Sequence, residues 1–457
     1  MTSPSPAVST DLKRELGLLD ATMINVGTMI ATAIFIVPAE VAADVPGSAL
    51  MILVWIAGGA VSLLGALSVA ELGASYPEAG GQYAYLREAY GPVWGFMYGW
   101  TGFLVINPAS IAAIAVGFAQ YLGYFTPLSA AWIRVVAILS VIALTALNCR
   151  GVRLGATTQN VLTILKMAAL ALLILTAFAL PGGSVENLKP LWPATPWRQL
   201  IGPFGVAMVA VLWAYDGWIE TTYVGSEIKD PGRNLPRSII LSTLIVIALY
   251  VLASIAYSYV LSPSHMASST LVASDAVQRT LGPRGAGLVA AAILISALGA
   301  NNGIILTSAR IPYAMARQGL FFRAQGHVHP RYATPTTALI TQAVISSVLA
   351  ASGTYDALFT YVVFAEFLFY ALSAGAVLRL RIREPQLQRP YRAWGYPWTP
   401  MVFILCAALL VGNTIWKKPR DSAVGAGLIL LGLPGYVFWR SKDKGGRQTA
   451  TPPVRRS

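Results

Sequence analysis

Apolar runs of membrane length recur along the whole chain and are separated by short polar breaks. A spanning helix takes about 20 apolar residues, and by that measure about twelve runs qualify. They are centred near Ile30, Leu63, Ile106, Leu139, Leu170, Met208, Leu249, Ile295, Ser346, Tyr370, Cys406 and Leu430. The runs are too long, and alternate too little, to be barrel strands. The pattern predicts an all-α integral membrane protein. The third and eighth runs, near 93–122 and 285–313, are long enough to tilt steeply. Between the second and third lies SYPEAGGQYAYLREAYG (Ser75–Gly91), whose mix of Gly, aromatic and charged residues predicts a re-entrant or interfacial helix.

Two runs are built from residues that hold a helix poorly. The first contains NVGTMIATAIFIVP (Asn25–Pro38). Its Gly and Thr are weaker helix formers than Leu, and Thr can bond backbone carbonyls. Unwound backbone at membrane depth is tolerated only where it lines a cavity. Unwinding frees N–H groups that suit a carboxylate and carbonyls that suit an ammonium, so one broken helix can hold both ends of a zwitterion. Val26, Gly27, Met29, Ile30, Ala31, Thr32 and Ala33 are the candidate binding residues here. The alternative is a small-residue packing seam between helices.

The sixth run carries WAYDGW (Trp213–Trp218), an acid, a Gly and three aromatics at membrane depth. A mid-membrane charge costs at least about 2.5–3.5 kcal/mol on insertion scales and marks a functional position by default. Gly217 permits a break. The carbonyls of Trp213, Ala214 and Tyr215 can meet an ammonium, and Trp213 can close over a small side chain, with Trp218 as a secondary candidate. Asp216 either contacts the substrate or caps the second half-helix. The two interrupted runs lie five apart. Interrupted segments in matching positions point to an inverted-repeat transporter and its binding site. The expected organisation is a tail at 1–15, a first repeat at 16–180, a second at 199–380, two further spans at 396–440 and a tail at 441–457.

Other polar groups fall at membrane depth. Lys166, in NVLTILKMAALALLIL, must face the bundle interior. Asn107 and Asn302 suit either side-chain recognition in a central cavity or plain interhelical hydrogen bonding. Glu366 is a secondary candidate for the external pathway or for carrying a proton. Glu71, Glu227 and Arg237 read as gate or fold residues, with Glu227 and Arg237 expected to pair across the IKDPGRNLP turn.

Composition sharpens this reading. Of 457 residues, 56% are hydrophobic and 11% charged, too few charges to cover a soluble protein of this length. Two cysteines supply neither a disulfide framework nor a metal set, and no metal is expected. The net charge of +13 has a direction. Loops on the side of the chain ends carry most of the Lys and Arg, including Arg150, Arg153, Arg310, Arg331 and the cluster from Arg379 to Arg392. The opposite side holds mainly Lys189, Arg198, Arg284, Lys417, Lys418 and Arg420. That bias predicts cytoplasmic termini in a plasma membrane, and anionic lipid at the cytoplasmic face. Nucleic acid is not an expected partner, because no basic folded domain is present.

Several stretches carry a family resemblance. ELGASYPEAGGQYAYLREAYG, AYDGW followed by EIKDPGRNLPRSI, GVRLGATTQN and REPQLQRPYRAWGYPWTP together resemble the amino acid–polyamine–organocation superfamily, specifically bacterial relatives of L-type amino-acid transporters. The resemblance runs from about Leu16 to Arg440. It implies a prokaryotic secondary transporter with twelve helices and the LeuT-type five-plus-five inverted repeat, its first and sixth helices broken. Members move amino acids by alternating access, as exchangers or proton-coupled symporters. The resemblance also implies that Lys166 takes the place of a sodium ion against the first and eighth helices. A neutral form of that lysine would permit proton coupling. One departure stands out: members usually carry a G-S-G-type sequence in the first break, and this chain has Ala31-Thr32-Ala33. Two added methyl groups there imply a smaller, differently posed or atypical substrate.

The expected function is transport of neutral L-amino acids. A cationic amino acid or polyamine, with Asp216 or Glu366 as counter-ion, is the alternative within the class. A non-transporting amino-acid sensor of the same fold is a further one. A channel would want a ring of filter residues from symmetric subunits. An enzyme would need a clustered catalytic set at one interface, and no phosphate-binding loop for an ATP-driven pump is present. A partner subunit leaves no sign in the sequence, and no cysteine is placed to link one.

Overall fold

The computed structural model describes residues 12–283, 285–353 and 355–448, with side chains described outside 355–361 and 442–448. Residues 1–11 and 449–457 of the expected tails lie outside these, as does Arg284. The described chain is helical. Its only β-type pairings are two isolated bridges, Leu16 with Ile228 and Ala79 with Val224.

Among the described residues, ten helices are long and apolar enough to cross a membrane, and a bent pair, Leu18–Met29 with Ala33–Asp44, makes an eleventh span. Thr336–Ser352 is apolar but shorter, at 17 residues. It occupies the place expected for the ninth run, so eleven of the twelve centres read from the sequence fall on an apolar helix, and Ile30 falls in the break of the bent pair. The interfacial helix expected in Ser75–Gly91 is Gln82–Tyr90.

Local chemistry explains the boundaries. The first span opens where the Asp20 carboxylate accepts the Gly17 N–H at 2.8 Å, satisfying one donor at a helix start. In the third span, Pro92–Leu122, Pro108 brings no N–H to the ladder. The chain widens there into a π-turn at Gly102–Ile106, and the Asn107 amide donates to the Gly102 carbonyl at 2.7 Å.

Burial sorts the spans into layers. The eighth, Gly285–Arg317, is 72% buried and the fourth, Ala130–Cys149, only 22%, so the eighth is central and the fourth faces lipid. The first half of span one packs against the fifth span (Val152–Ala179), the seventh (Pro231–Val260) and the eighth. That core brings the two broken spans together.

Candidate functional site

The first span leaves helical geometry at Ile30, bends by 44° and resumes at Ala33. The expected freeing of backbone groups occurs, but the carbonyls already have partners. Lys166 donates from Nζ to the carbonyls of Gly27 (2.7 Å), Ile30 (2.7 Å) and Ser296 (2.8 Å). The Ser296 hydroxyl donates to Ile30 and Ala31, both at 2.9 Å, and Tyr250 donates to Met29 at 2.8 Å. The ammonium that these carbonyls receive is therefore the protein's own. The N–H groups at the start of the second half, Ala33 and Ile34, have no carbonyl within their helix and form the anion-seeking end of the break.

The sixth span is helical from Trp197 to Ala214. It then unwinds into turns and two short 3₁₀ segments, Glu220–Thr222 and Gly225–Glu227, in place of a second α-helical half. Gly217 has φ +109°, and a Cβ there would sit 3.0 Å from the Met29 nitrogen and the Thr28 hydroxyl. Only glycine combines that backbone angle with so close an approach. Thr28 donates to the Gly217 carbonyl at 3.1 Å. Asn25 clips the two breaks from beneath, donating to the Trp218 carbonyl at 2.8 Å and accepting the Thr221 N–H at 2.9 Å.

A cavity of ≈ 430 Å³ lies between the breaks, within the size range of a small-ligand site. Of the candidate residues, Met29, Ala31, Thr32, Ala33, Asn107, Trp213, Ala214, Asp216, Gly217 and Glu366 line it. The other expected residues lie elsewhere. Val26, Gly27 and Ile30 are behind the wall, the last two holding Lys166. Tyr215 points away, donating to the Trp55 carbonyl at 3.1 Å, and Trp218 packs on Tyr370 and Phe403. Asn302 is a strut between helices. It donates to the Gly155 carbonyl and the Gln159 side chain and accepts from Asn148.

The cavity also recruits residues the sequence reading passed over: Thr28, Ser110, Ala113, Ile114, Gly117, Gln120, Glu220 and Ile304. Glu220 had a usable signal, being a second mid-membrane acid four residues after Asp216. Its carboxylate accepts from the Thr307 hydroxyl. Asp216 accepts from Tyr370 at 2.7 Å. Three carboxyl groups thus border one cavity, and among the described residues no Lys or Arg lines it.

From the breaks the cavity runs along span three to Gln120, less than a turn from that helix's end at Leu122. Towards the chain ends it is shut. Tyr98 and Tyr223 share a hydrogen bond at 2.7 Å, Tyr223 donates to Gln82 at 2.9 Å, and Gln82 donates to Ser373 at 3.1 Å. Below these, Arg310 grips Glu227 through two hydrogen bonds at 2.7 and 3.0 Å, both side chains fully buried. Glu227 therefore does not pair with Arg237 as expected. The turn between them is too local, and the buried guanidinium of span eight supplies the planar two-point fit. Glu71 holds Arg381 at 2.6 Å, Arg389 at 3.3 Å and the Ala393 N–H at 2.7 Å.

A bundle with two broken spans around a small central cavity, closed towards one side, defines a multi-pass membrane transporter. The Amino acid permease family model matches residues 16–439, and the chain belongs to that family. It is 32% identical over 454 residues to b(0,+)-type amino acid transporter 1 of Mus musculus, covering 98% of this chain and 92% of that protein. It is 32% identical over 444 residues to Large neutral amino acids transporter small subunit 2 of Homo sapiens, covering 95% and 82%. The protein is an amino-acid transporter and not an enzyme.

Proposed function

We propose that the protein carries neutral L-amino acids by alternating access, with Lys166 as a fixed cation in the place of a sodium ion. The observation that carries this is the contact of one ammonium with carbonyls of both the first break and span eight. A bound cation there would couple the two elements, and a lysine does so without a dissolved ion. The substrate carboxylate meets the free N–H groups at Ala33 and Ile34, and its ammonium faces the carbonyl end of the sixth-span break. Trp213 and Ile304 offer an apolar wall to the side chain. The chain ends are cytoplasmic in a prokaryotic cell membrane, a reading supported by the Lys and Arg bias. The cavity then faces outward. The name of one relative, Large neutral amino acids transporter small subunit 2, supports the neutral reading.

A second reading, transport of cationic amino acids, draws on the carboxyl groups of Asp216, Glu220 and Glu366 at the cavity. Asp216 and Glu220 each already accept a hydrogen bond within the protein, which favours the neutral substrate.

Purified protein in liposomes, offered radiolabelled leucine, alanine and lysine, tests the proposal. Leucine or alanine uptake that depends on internal amino acid makes it an exchanger. Uptake into empty liposomes driven by an inward proton gradient makes it a symporter. Lysine uptake alone selects the second reading, and no uptake of any amino acid sinks both.

A further inference from the structure

Two hollows on the side of the chain ends meet at Arg150. The first is a groove of ≈ 790 Å³ between the fourth span and Thr336–Ser352, walled by Ile138, Ile142 and Ala146 on one side and Ile340, Val344 and Val348 on the other. Its rim faces the bilayer, with Ile340, Val344 and Val348 each more than half exposed. The second is a basin of ≈ 440 Å³ bordered by Lys13, Arg150, Arg153 and Arg331, with Glu15 as its one acid among the described residues. Arg150 and Tyr332 belong to both.

The basin is built on a fixed frame. The His329 ring nitrogen Nδ1 accepts the N–H groups of Arg331 and Tyr332 at 3.2 and 3.3 Å. Thr334 donates to the Cys149 carbonyl at 3.0 Å, tying that loop to the end of the fourth span. Arg331 lies over the Tyr332 ring, 5.5 Å from its centre. None of the four cations has a carboxylate within ion-pair distance among the described residues.

We infer that this composite hollow binds one anionic phospholipid, its phosphate in the basin and an acyl chain in the groove. A soluble anion would leave the apolar groove unfilled, and a zwitterionic lipid would leave the net charge of the basin unmatched. Clustered basic residues at the interface attract anionic headgroups, and an adjoining apolar trough adds methylene burial. The dimensions agree. From Ile138 to Arg150 the helix rises about 18 Å, and one leaflet of a bilayer core is about 15 Å deep. The inference needs only the membrane-spanning fold, so it stands or falls separately from the choice of amino acid.

Native mass spectrometry of the full chain tests it, with phosphatidylglycerol and phosphatidylcholine of matched acyl chains added to the detergent-purified protein. The expected result is one phosphatidylglycerol retained per chain, favoured over phosphatidylcholine by about tenfold or more. Two variants are compared. Arg150→Gln/Arg153→Gln/Arg331→Gln removes charge and leaves the groove. Ala146→Trp fills the groove and leaves the charge. Both are expected to lose the bound phosphatidylglycerol. Equal retention of the two lipids, or phosphatidylglycerol held at the parent level by either variant, overturns the inference.

Discussion

The Nζ of Lys166 sits 2.7 Å from the Ile30 carbonyl, at the point where the first span stops being a helix. The break and the lysine explain each other. The unwound turn exposes carbonyls that only a donor can satisfy, and the buried ammonium needs acceptors on several sides. Replacing Lys166 with Met keeps the volume and removes three hydrogen bonds. We expect uptake to fall by an order of magnitude or more in liposomes, with the Gly27 carbonyl left orphaned at a cost of about 1–3 kcal/mol of stability while Ile30 keeps the Ser296 hydroxyl. Near-normal uptake by Lys166→Met would refute the fixed-cation role.

Gly299 offers a test that leaves the lysine in place. A Cβ there would come within 2.8 Å of Lys166 Cε and 2.9 Å of Nζ. Gly299→Ala should displace the ammonium and reproduce the transport defect of Lys166→Met. If Gly299→Ala transports normally, the position of Nζ does not matter as argued.

Gly217 is where the two breaks touch. Its φ of +109° strains any other residue, typically by about 1–3 kcal/mol, and the added Cβ also presses on the Thr28 and Met29 backbone. Gly217→Ala is expected to reach the membrane in normal amount yet lose most uptake, as read by surface labelling beside flux. Full activity would mean that the contact between the breaks opens freely during transport.

The Arg310–Glu227 pair closes the side of the chain ends and is out of reach of water. Removing one partner of such a pair leaves a buried charge alone and typically costs about 3–5 kcal/mol. Arg310→Met should sharply lower the unfolding temperature in detergent, and adding Glu227→Leu should recover part of the loss. An unchanged melt for Arg310→Met would place the pair outside the stability of this closed state.

Asp216 and Glu366 separate the two substrate readings. For a neutral amino-acid carrier, excess lysine leaves leucine uptake by the parent protein unchanged, and Glu366→Gln keeps that selectivity. Strong competition by lysine that Glu366→Gln abolishes would assign the carboxyl group to a cationic side chain.

Much of this protein was already decided by its sequence. Span positions follow from hydropathy, because a bilayer admits only segments that are apolar and satisfy their own backbone. The two breaks were legible for the same reason: Ala31-Thr32-Ala33 and Asp216-Gly217 are poor choices for a plain lipid-spanning helix. Lys166 was legible as an interior group because its charge has nowhere else to go. What only the tertiary structure decided is which groups meet. Residues around one break point in different directions, so Trp213 lines the cavity while Tyr215 and Trp218 turn from it. Asn302 and Asn107 look alike in sequence, yet one is a strut and the other a wall. Glu227 chose Arg310, 83 positions away, over Arg237 nearby. Hydropathy reports how each segment meets the membrane; partners inside the bundle depend on rotation and crossing of helices far apart in the chain, which only packing sets.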